Sequence, residues 1–473
     1  MRGQGTVNNR IHDRLGFVLL LLLLAWSLVP FGSNRPWAEA LFSTFIFGLL
    51  SLMLMSRIWQ SHLDISSLRL NRPEFWIFFT WILWVFFQTV PLPPQVIQWL
   101  SPNAYAIQLF AQSSDELMSI SLDRDASLLS GLRISTAAAL AILLLLFLDS
   151  RRRLLVFALA LVVCGLLEAL IGLGIYWSGM ADTTVQIDSR DTIGPVGTFI
   201  SRNHFAGFLE MALAMNTGLI LIYYKSQSIG SGWRASVRDL SGELLSIRGF
   251  LLMGQLVIFA ALILSGSRGG VLAFLIASIV VGASLAFHHG AAVLRAWIPI
   301  ALTAIGAVFW FGGGAFLNRI GTLGLSNNRL DLVDVGIGII TDYPITGSGA
   351  GTFRWIFPLY KDARFGGLFY EHAHNDYLEI AIEQGLLGLL MFLSLTGLLL
   401  FRTYRAYCER HDRLARSVSL GAMIAGVSIL SHSMIDFNLQ IPANFYWFFA
   451  ILTAGACAGQ VERRGGAHSH EAV

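Results

Sequence analysis

The chain is a succession of long apolar blocks cut by shorter polar segments. Predominantly apolar runs cover 15–29, 137–148 and 154–177, long enough, or nearly so, to cross a hydrocarbon layer of roughly 30 Å. At that depth a backbone must satisfy its own hydrogen bonds, so these blocks are predicted to be helices. Along the whole chain the pattern predicts an all-α integral membrane protein with about twelve transmembrane helices. They fall near 15–31, 38–55, 75–90, 134–148, 154–177, 205–224, 249–265, 271–287, 297–316, 386–401, 418–436 and 442–459. Three polar segments are too long to be turns: 91–133, 178–204 and 318–385. Loops beyond ~15 residues usually carry function or are disordered, and Tyr343, Trp355, Tyr360 and Tyr370 in the third argue for a folded cap. Within it, 329–341 reads as an amphipathic helix with Leu330, Val333, Ile337 and Ile340 along one side, ended by Tyr343-Pro344.

Composition agrees. Hydrophobic residues make up 55% of the chain and charged residues 13%, against about 25% charged in soluble domains. A net charge of +3 gives no support to a nucleic-acid partner. With the N-terminus cytoplasmic, most of the 32 Lys and Arg residues fall inside, among them Arg151-Arg152-Arg153 and Arg402, Arg405, Arg410, Arg413 and Arg416. The three long polar segments then face outward. Ala38-Glu39-Ala40 has the look of a cleavage site, but another apolar run follows at once, so an uncleaved first span is expected. Cys164, Cys408 and Cys457 avoid the outer segments and show no CxxC spacing, so neither an outer disulfide nor a cysteine zinc site is expected. Residues 461–473 read as a short disordered tail.

Three motifs at outer ends of spans carry the polar chemistry. The first is Gly197-Thr198-Phe199-Ile200-Ser201-Arg202-Asn203-His204-Phe205-Ala206-Gly207. It reads either as an interfacial anchor, with Arg202 snorkelling and His204 capping, or as an anion site at a helix start. The second, Ser265-Gly266-Ser267-Arg268-Gly269-Gly270, puts a lone Arg in a glycine-rich outer turn. Its glycines would let the backbone approach a ligand closely. A guanidinium fork suits a phosphate, and the alternative is a hairpin turn facing headgroups. The third is Glu371-His372-Ala373-His374-Asn375-Asp376-Tyr377-Leu378-Glu379, followed by Glu383-Gln384-Gly385-Leu386-Leu387-Gly388-Leu389. If helical, Asp376, Glu379 and Glu383 share one face. A histidine here suits a general base. His372 and His374 beside Glu371 would otherwise begin a metal site, and helix capping by polar residues is the plain alternative. Gly347-Ser348-Gly349-Ala350-Gly351 lacks the Gly-Lys-Ser/Thr of a phosphate loop and is expected to be a turn. Glu168 and Glu210 lie inside spans and are expected to be structural or channel-lining, and His432 and Asp436 are expected to pair across one helix turn.

Together the three motifs, in this order and around a large outer loop, resemble the O-antigen ligase/polymerase family. The resemblance runs from roughly 136 to 459 and does not separate ligases from polymerases or from their protein-glycosylating relatives. It implies a membrane glycosyltransferase of the GT-C type with a large periplasmic loop, in the bacterial inner membrane, with its active site facing the periplasm. The donor would be a glycan on undecaprenyl diphosphate. The acceptor would be a glycan, lipid A core or another hydroxyl, with membrane lipids around both. The family uses no metal and no cofactor. Carried over by residue, Arg202 and Arg268 would hold the diphosphate and His374 would be the base. His372, Glu371, Asn375, Asp376 and His204 would support them, and the doubled histidine leaves His372 open as the base. The implied organisation is 1–135 for the first helices and outer loop, 136–459 for the catalytic membrane domain with a cap at about 318–385, and 460–473 for a cytoplasmic tail. From the residues alone, the rival class is a transporter such as a lipid-linked oligosaccharide flippase. Such a protein usually has internal repeats and a midplane polar cluster, and the sequence shows neither.

Overall fold

The computed structural model describes residues 2–59, 73–111, 116–179, 194–222, 246–289 and 327–467. These residues are helical throughout, apart from loops and one isolated bridge between Leu92 and Met118. The helices are α1 (Arg2–Trp26), α2 (Pro36–Trp59), α3 (Pro73–Phe87), α4 (Pro94–Leu100), α5 (Pro102–Ala111), α6 (Arg124–Phe147), α7 (Arg151–Ser178) and α8 (Arg202–Ile222). They continue with α9 (Ile247–Leu264), α10 (Arg268–His289), α11 (Asn327–Asp342), α12 (Phe353–Tyr360), α13 (Asp376–Glu409), α14 (Arg413–His432) and α15 (Pro442–Ala467). Among the described residues, seven helices are long and apolar enough to cross a membrane: α2, α6, α7, α9, α10, α13 and α14. Helices also occupy most of the expected spans at 15–31, 75–90, 205–224 and 442–459. The expected span at 297–316 lies outside the described residues.

The bundle is built around α8, α14 and α15. Apolar side chains gain little by leaving lipid for protein, so close backbone approach and interhelical hydrogen bonds must hold such helices together. Side chains at Gly218 of α8 and Gly421 of α14 would each run into the other helix's backbone. Asn216 Nδ2 donates to Leu251 O at 2.8 Å and lies 2.9 Å from Gln255 Oε1, tying α8 to α9. Arg133 of α6 forks onto both oxygens of Glu39 of α2, at 2.6 and 2.9 Å, and donates to Gln440 O at 2.9 Å. A buried charge left unpaired costs several kcal/mol, so this pair fixes α2, α6 and the 438–440 turn together. The same pair explains why α6 begins at Arg124, capped by Asp123 accepting from Ala126 N at 3.0 Å. The sequence reading began this span ten residues later, because Arg133 breaks the apolar run.

The segments expected to face inward meet at one end of the bundle. Arg151 pairs with Asp412 at 2.7 Å, Arg57 Nη2 donates to Leu146 O at 3.4 Å, and Arg402 pairs with Glu74. The opposite end carries a folded cap. Its core joins α11 and α12 to Ala104, Phe365, Ala373 and Ile382. The expected helix at 329–341 is present, but its buried side is Leu332, Val335 and Ile339, whereas Leu330 and Ile337 are exposed. Both stripes are apolar. The buried stripe packs in the cap core, where Leu378 lies close against Gly336. At the C-terminus the backbone stays helical to Ala467 where a tail was expected from 461.

The cap is joined to the bundle at a break in α13. Gly385 has φ 69° and ψ 178°, which opens the helix ladder. The exposed backbone groups are then paired with other segments. Ser348 N donates to Ile382 O at 2.9 Å, Gly349 N to Glu383 O at 2.8 Å and Leu386 N to Pro344 O at 2.9 Å. Gln88 Nε2 reaches Glu383 O at 3.0 Å, Trp84 Nε1 reaches Gln384 O at 2.9 Å and Trp81 Nε1 reaches Gln384 Oε1 at 2.6 Å. The glycine-rich stretch 347–351 is thus a turn, as expected, and its partner is the broken helix. A side chain at 385 would strike the Ile345 carbonyl. Gly385→Ala should therefore cost about 2 kcal/mol or more in stability, the strain of a positive φ plus the clash. Gly397→Ala in the same helix, where a Cβ meets open space, should be neutral or slightly stabilising. Thermal unfolding of the purified protein in detergent checks both, and equal melting temperatures for the two variants would contradict this account.

Candidate functional site at the cap end of the bundle

Three helices begin within the three motifs and at the same end of the bundle: α8 at Arg202, α10 at Arg268 and α13 at Asp376. Each helix start carries the positive end of its dipole. The arginines are therefore not the only positive elements here. The loop before α8 is held by Glu168, which accepts from Thr198 N at 3.0 Å and lies 2.8 Å from Thr198 Oγ1. Glu168 thus has a structural duty, as expected. The turn carrying Arg268 borders Arg202, since a side chain at Gly266 would come within 3.6 Å of Arg202 Nη1. Gly269 and Gly270 were expected to admit a ligand. They instead admit His432, whose Nε2 would lie 2.7 Å from a Cβ at Gly269 and whose Cε1 would lie 3.4 Å from one at Gly270.

His432 does not pair with Asp436. Its Nδ1 sits 2.7 Å from Glu210 Oε1, and Ser428 Oγ donates to the other Glu210 oxygen. Helix α14 ends at His432, so residue 436 leaves the helix face that the four-residue spacing assumed. Asp436 instead turns to the motifs. It accepts from Asn203 Nδ2, lies 3.4 Å from His374 Nδ1 and accepts from Phe437 N at 2.9 Å. Arg329 approaches it at 4.0 Å while donating to Ile435 O at 2.7 Å. One buried carboxylate therefore links the first motif, the third motif and the cap. Burial works to raise its pKa. The hydrogen bond to His374 and the fields of His204, His374 and His432 outweigh that and hold it below the ordinary carboxylate range.

The three histidines of the motifs surround the ring of Phe437. His372 stacks on it at 4.3 Å, while His204 and His374 meet it edge-on at 4.6 and 4.9 Å. The two candidate bases differ in their settings. His372 Nδ1 lies 2.7 Å from Glu379 Oε1, and Glu379 Oε2 accepts from Ala373 N at 2.7 Å. Burial alone would lower the His372 pKa, but the Glu379 carboxylate raises it above the ordinary value. His372 is thereby biased towards the charged form, which suits a fixed cation better than a base. In both rings Nδ1 faces a carboxylate, so a neutral ring donates from Nδ1 and leaves Nε2 as the acceptor.

His374 has φ 50°, a left-handed backbone rarely adopted by residues other than glycine. Its neighbours enforce this. Asn375 caps α13 by accepting from Leu378 N at 3.0 Å and donates to Met434 O at 3.0 Å, and Asp376 N donates to Ser433 O at 2.9 Å. Strain of about 1–3 kcal/mol maintained in this way gathers at functional positions. The acids expected to orient the histidines, Glu371 and Asp376, do not face them. Glu371 is exposed, and Asp376 accepts from Leu439 N at 3.0 Å. Asp436 and Glu379 stand in their places. Asp436, Phe437 and Asn203 escaped the sequence reading as site residues. The one available signal was polar residues gathered just beyond a span's end. Among the described residues, no group of three or more His, Cys, Asp or Glu side chains is arranged to hold a metal ion.

The His372–Glu379 pair carries a pH signature. A histidine whose folded pKa lies above its ordinary 6.5 adds stability that is fully present below that value and is lost as pH rises through the folded pKa. The melting-temperature gap between wild type and His372→Asn should be widest between about pH 5 and 6.5 and close above it. A gap that stays constant from acid to alkaline pH would show that the pairing does not depend on charge.

No curated protein matches the chain. Residues 253–393 match the family model described as O-antigen ligase. The match is shorter than the resemblance read from the motifs. It includes Arg268, the cap and the histidine segment, and leaves Arg202 outside it. The segment that carries the second arginine motif and the histidine motif thus belongs to the O-antigen ligase/polymerase family.

Proposed function

We propose that the protein is a metal-independent membrane glycosyltransferase of the GT-C type. It transfers or polymerises a glycan from an undecaprenyl-diphosphate-linked donor at the periplasmic face of the bacterial inner membrane. The observation that carries this reading is the meeting of all three motifs at one end of the bundle, through Asp436, Asn203 and the Arg202–Gly266 border. Arg202 and Arg268 bind the diphosphate, aided by the starts of α8 and α10. His374 takes the acceptor hydroxyl proton on Nε2, with Asp436 stabilising the ring as it becomes charged. The acceptor oxygen bonds to the sugar carbon while the bond from that carbon to the diphosphate oxygen breaks. The leaving anion is stabilised by the fixed cations. Residues 1–135 form the N-terminal helices and first outer loop, and 136–459 the catalytic domain with its cap at about 318–385. Residues 460–473 form a cytoplasmic tail, and about twelve spans cross the bilayer.

A transporter reading is less well supported. The acids within the helices are engaged locally: Glu39 with Arg133, Glu168 with Thr198, and Glu210 with His432 and Ser428. A substrate path through the midplane needs polar groups that face a cavity.

In a purified assay with a lipid-linked donor, His374→Ala should lower transfer by about 100-fold or more, the usual scale of general-base loss, while donor binding persists. Arg202→Lys and Arg268→Lys should each impair transfer, because a lysine keeps the charge and loses the fork. A chelator should have no effect, and activity restored to chelated enzyme by a divalent ion would overturn the metal-free mechanism. Activity retained in His374→Ala but lost in His372→Ala would move the base by two residues. A topology reporter fused near Lys361 should report the periplasm.

A further inference from the structure

The side of α12 facing away from the histidine segment borders a cleft of about 670 Å³. Its other wall is the first outer segment, including Gln108, Ser119, Asp123 and Asp125. Trp355 projects here with 51% of its surface exposed. The indole is not loose. Its Nε1 donates to Asp123 Oδ2 at 2.7 Å, and the Arg354 guanidinium lies 4.9 Å from the ring centroid. Asp123 is fixed in turn by accepting from Ala126 N at 3.0 Å. A large aromatic ring left half in solvent yet immobilised is costly for solubility and adds nothing to the cap core. That core uses the other side of α12, through Phe353, Ile356 and Phe357.

We propose that this cleft is a glycan-binding subsite, with Trp355 as its stacking platform. The inference rests on the glycosyltransferase reading for the identity of its ligand. A pyranose ring presents a face of C–H groups to the negative face of an aromatic ring, and its hydroxyls bridge to carboxylates and amides at the rim. Asp125, exposed on the cleft wall, is such a group. The subsite does not hold the reacting sugar. Helix α12 lies between it and Tyr370, whose ring is 5.7 Å from Phe357 on one side and 6.1 Å from His374 on the other. An α-helix with its side chains is about 10 Å across, so the cleft takes sugars further along a chain whose end reacts near His374. The enzyme then grips long glycans better than short ones, without a change in the chemical step.

The test uses the full-length protein in detergent and two probes. One is free oligosaccharide released by mild acid from the host's own lipid-linked glycan. The other is the lipid-linked donor itself, carrying either one repeat unit or several. Trp355→Ala should weaken binding of the oligosaccharide, read by saturation-transfer NMR, by about tenfold, the scale of one aromatic stacking contact. It should raise KM for the long donor by a similar factor while kcat and the single-unit KM stay unchanged. Trp355→Phe keeps a ring and should retain most binding. Leu359→Trp, which adds a bulky ring to the cleft wall one helical turn from Trp355, should mimic Trp355→Ala. Oligosaccharide binding and KM unchanged in both Trp355→Ala and Leu359→Trp would overturn the subsite. If wild type shows no transfer from any donor while oligosaccharide binding still depends on Trp355, the subsite stands and the transferase reading fails.

Discussion

The break at Gly385 is the constraint on which the rest of the cap end depends. A helix opened near the membrane boundary exposes carbonyls that lipid cannot satisfy, so other parts of the chain must supply donors. Here they come from α3 through Trp84, from the following turn through Gln88, and from Ser348 and Gly349. The first turns of α13, which carry Asp376, Glu379 and Glu383, are thereby freed from the direction of the membrane span that follows. They sit under the cap, where Glu383 Oε1 accepts from Phe353 N at 2.9 Å. A single backbone irregularity thus anchors the cap and aims the histidine segment.

The second level of organisation is electrostatic. Three helix starts, two arginines and a charge-biased His372 place positive elements at the cap end of the bundle, and a buried Asp436 sits among them. An isolated carboxylate at that depth would be costly. Its bonds to Asn203 and to the Phe437 amide, with His374 and Arg329 nearby, make it a hub instead. Phe437 supplies the apolar counterpart, one ring against which three imidazoles are ordered. The strained backbone of His374 belongs to the same construction, because the loop after α14 grips the chain on its C-terminal side through Asn375 and Asp376.

Much of this was legible from residue order alone, because local rules govern it. The apolar blocks are helices because lipid allows the backbone few alternatives, and the three polar motifs stand at helix ends because charge is excluded from the middle. Arg202, Arg268, His372 and His374 lie within those motifs, and the 347–351 stretch reads as a turn from its glycines. What the tertiary structure decided were choices between locally equivalent options. Two stripes of the 327–342 helix are apolar, and packing in the cap core, with Leu378 against Gly336, buries one of them. His432 and Asp436 have the spacing of a helical pair, yet the end of α14 sends one to Glu210 and the other to His374, partners more than 60 positions away. The orienting acids proved to be Asp436 and Glu379, not the adjacent Glu371 and Asp376, since nearness along the chain says nothing about direction in space once a loop intervenes. Spacing and hydropathy determine which side chains reach the membrane boundary, and only packing between distant helices determines which of them face one another there.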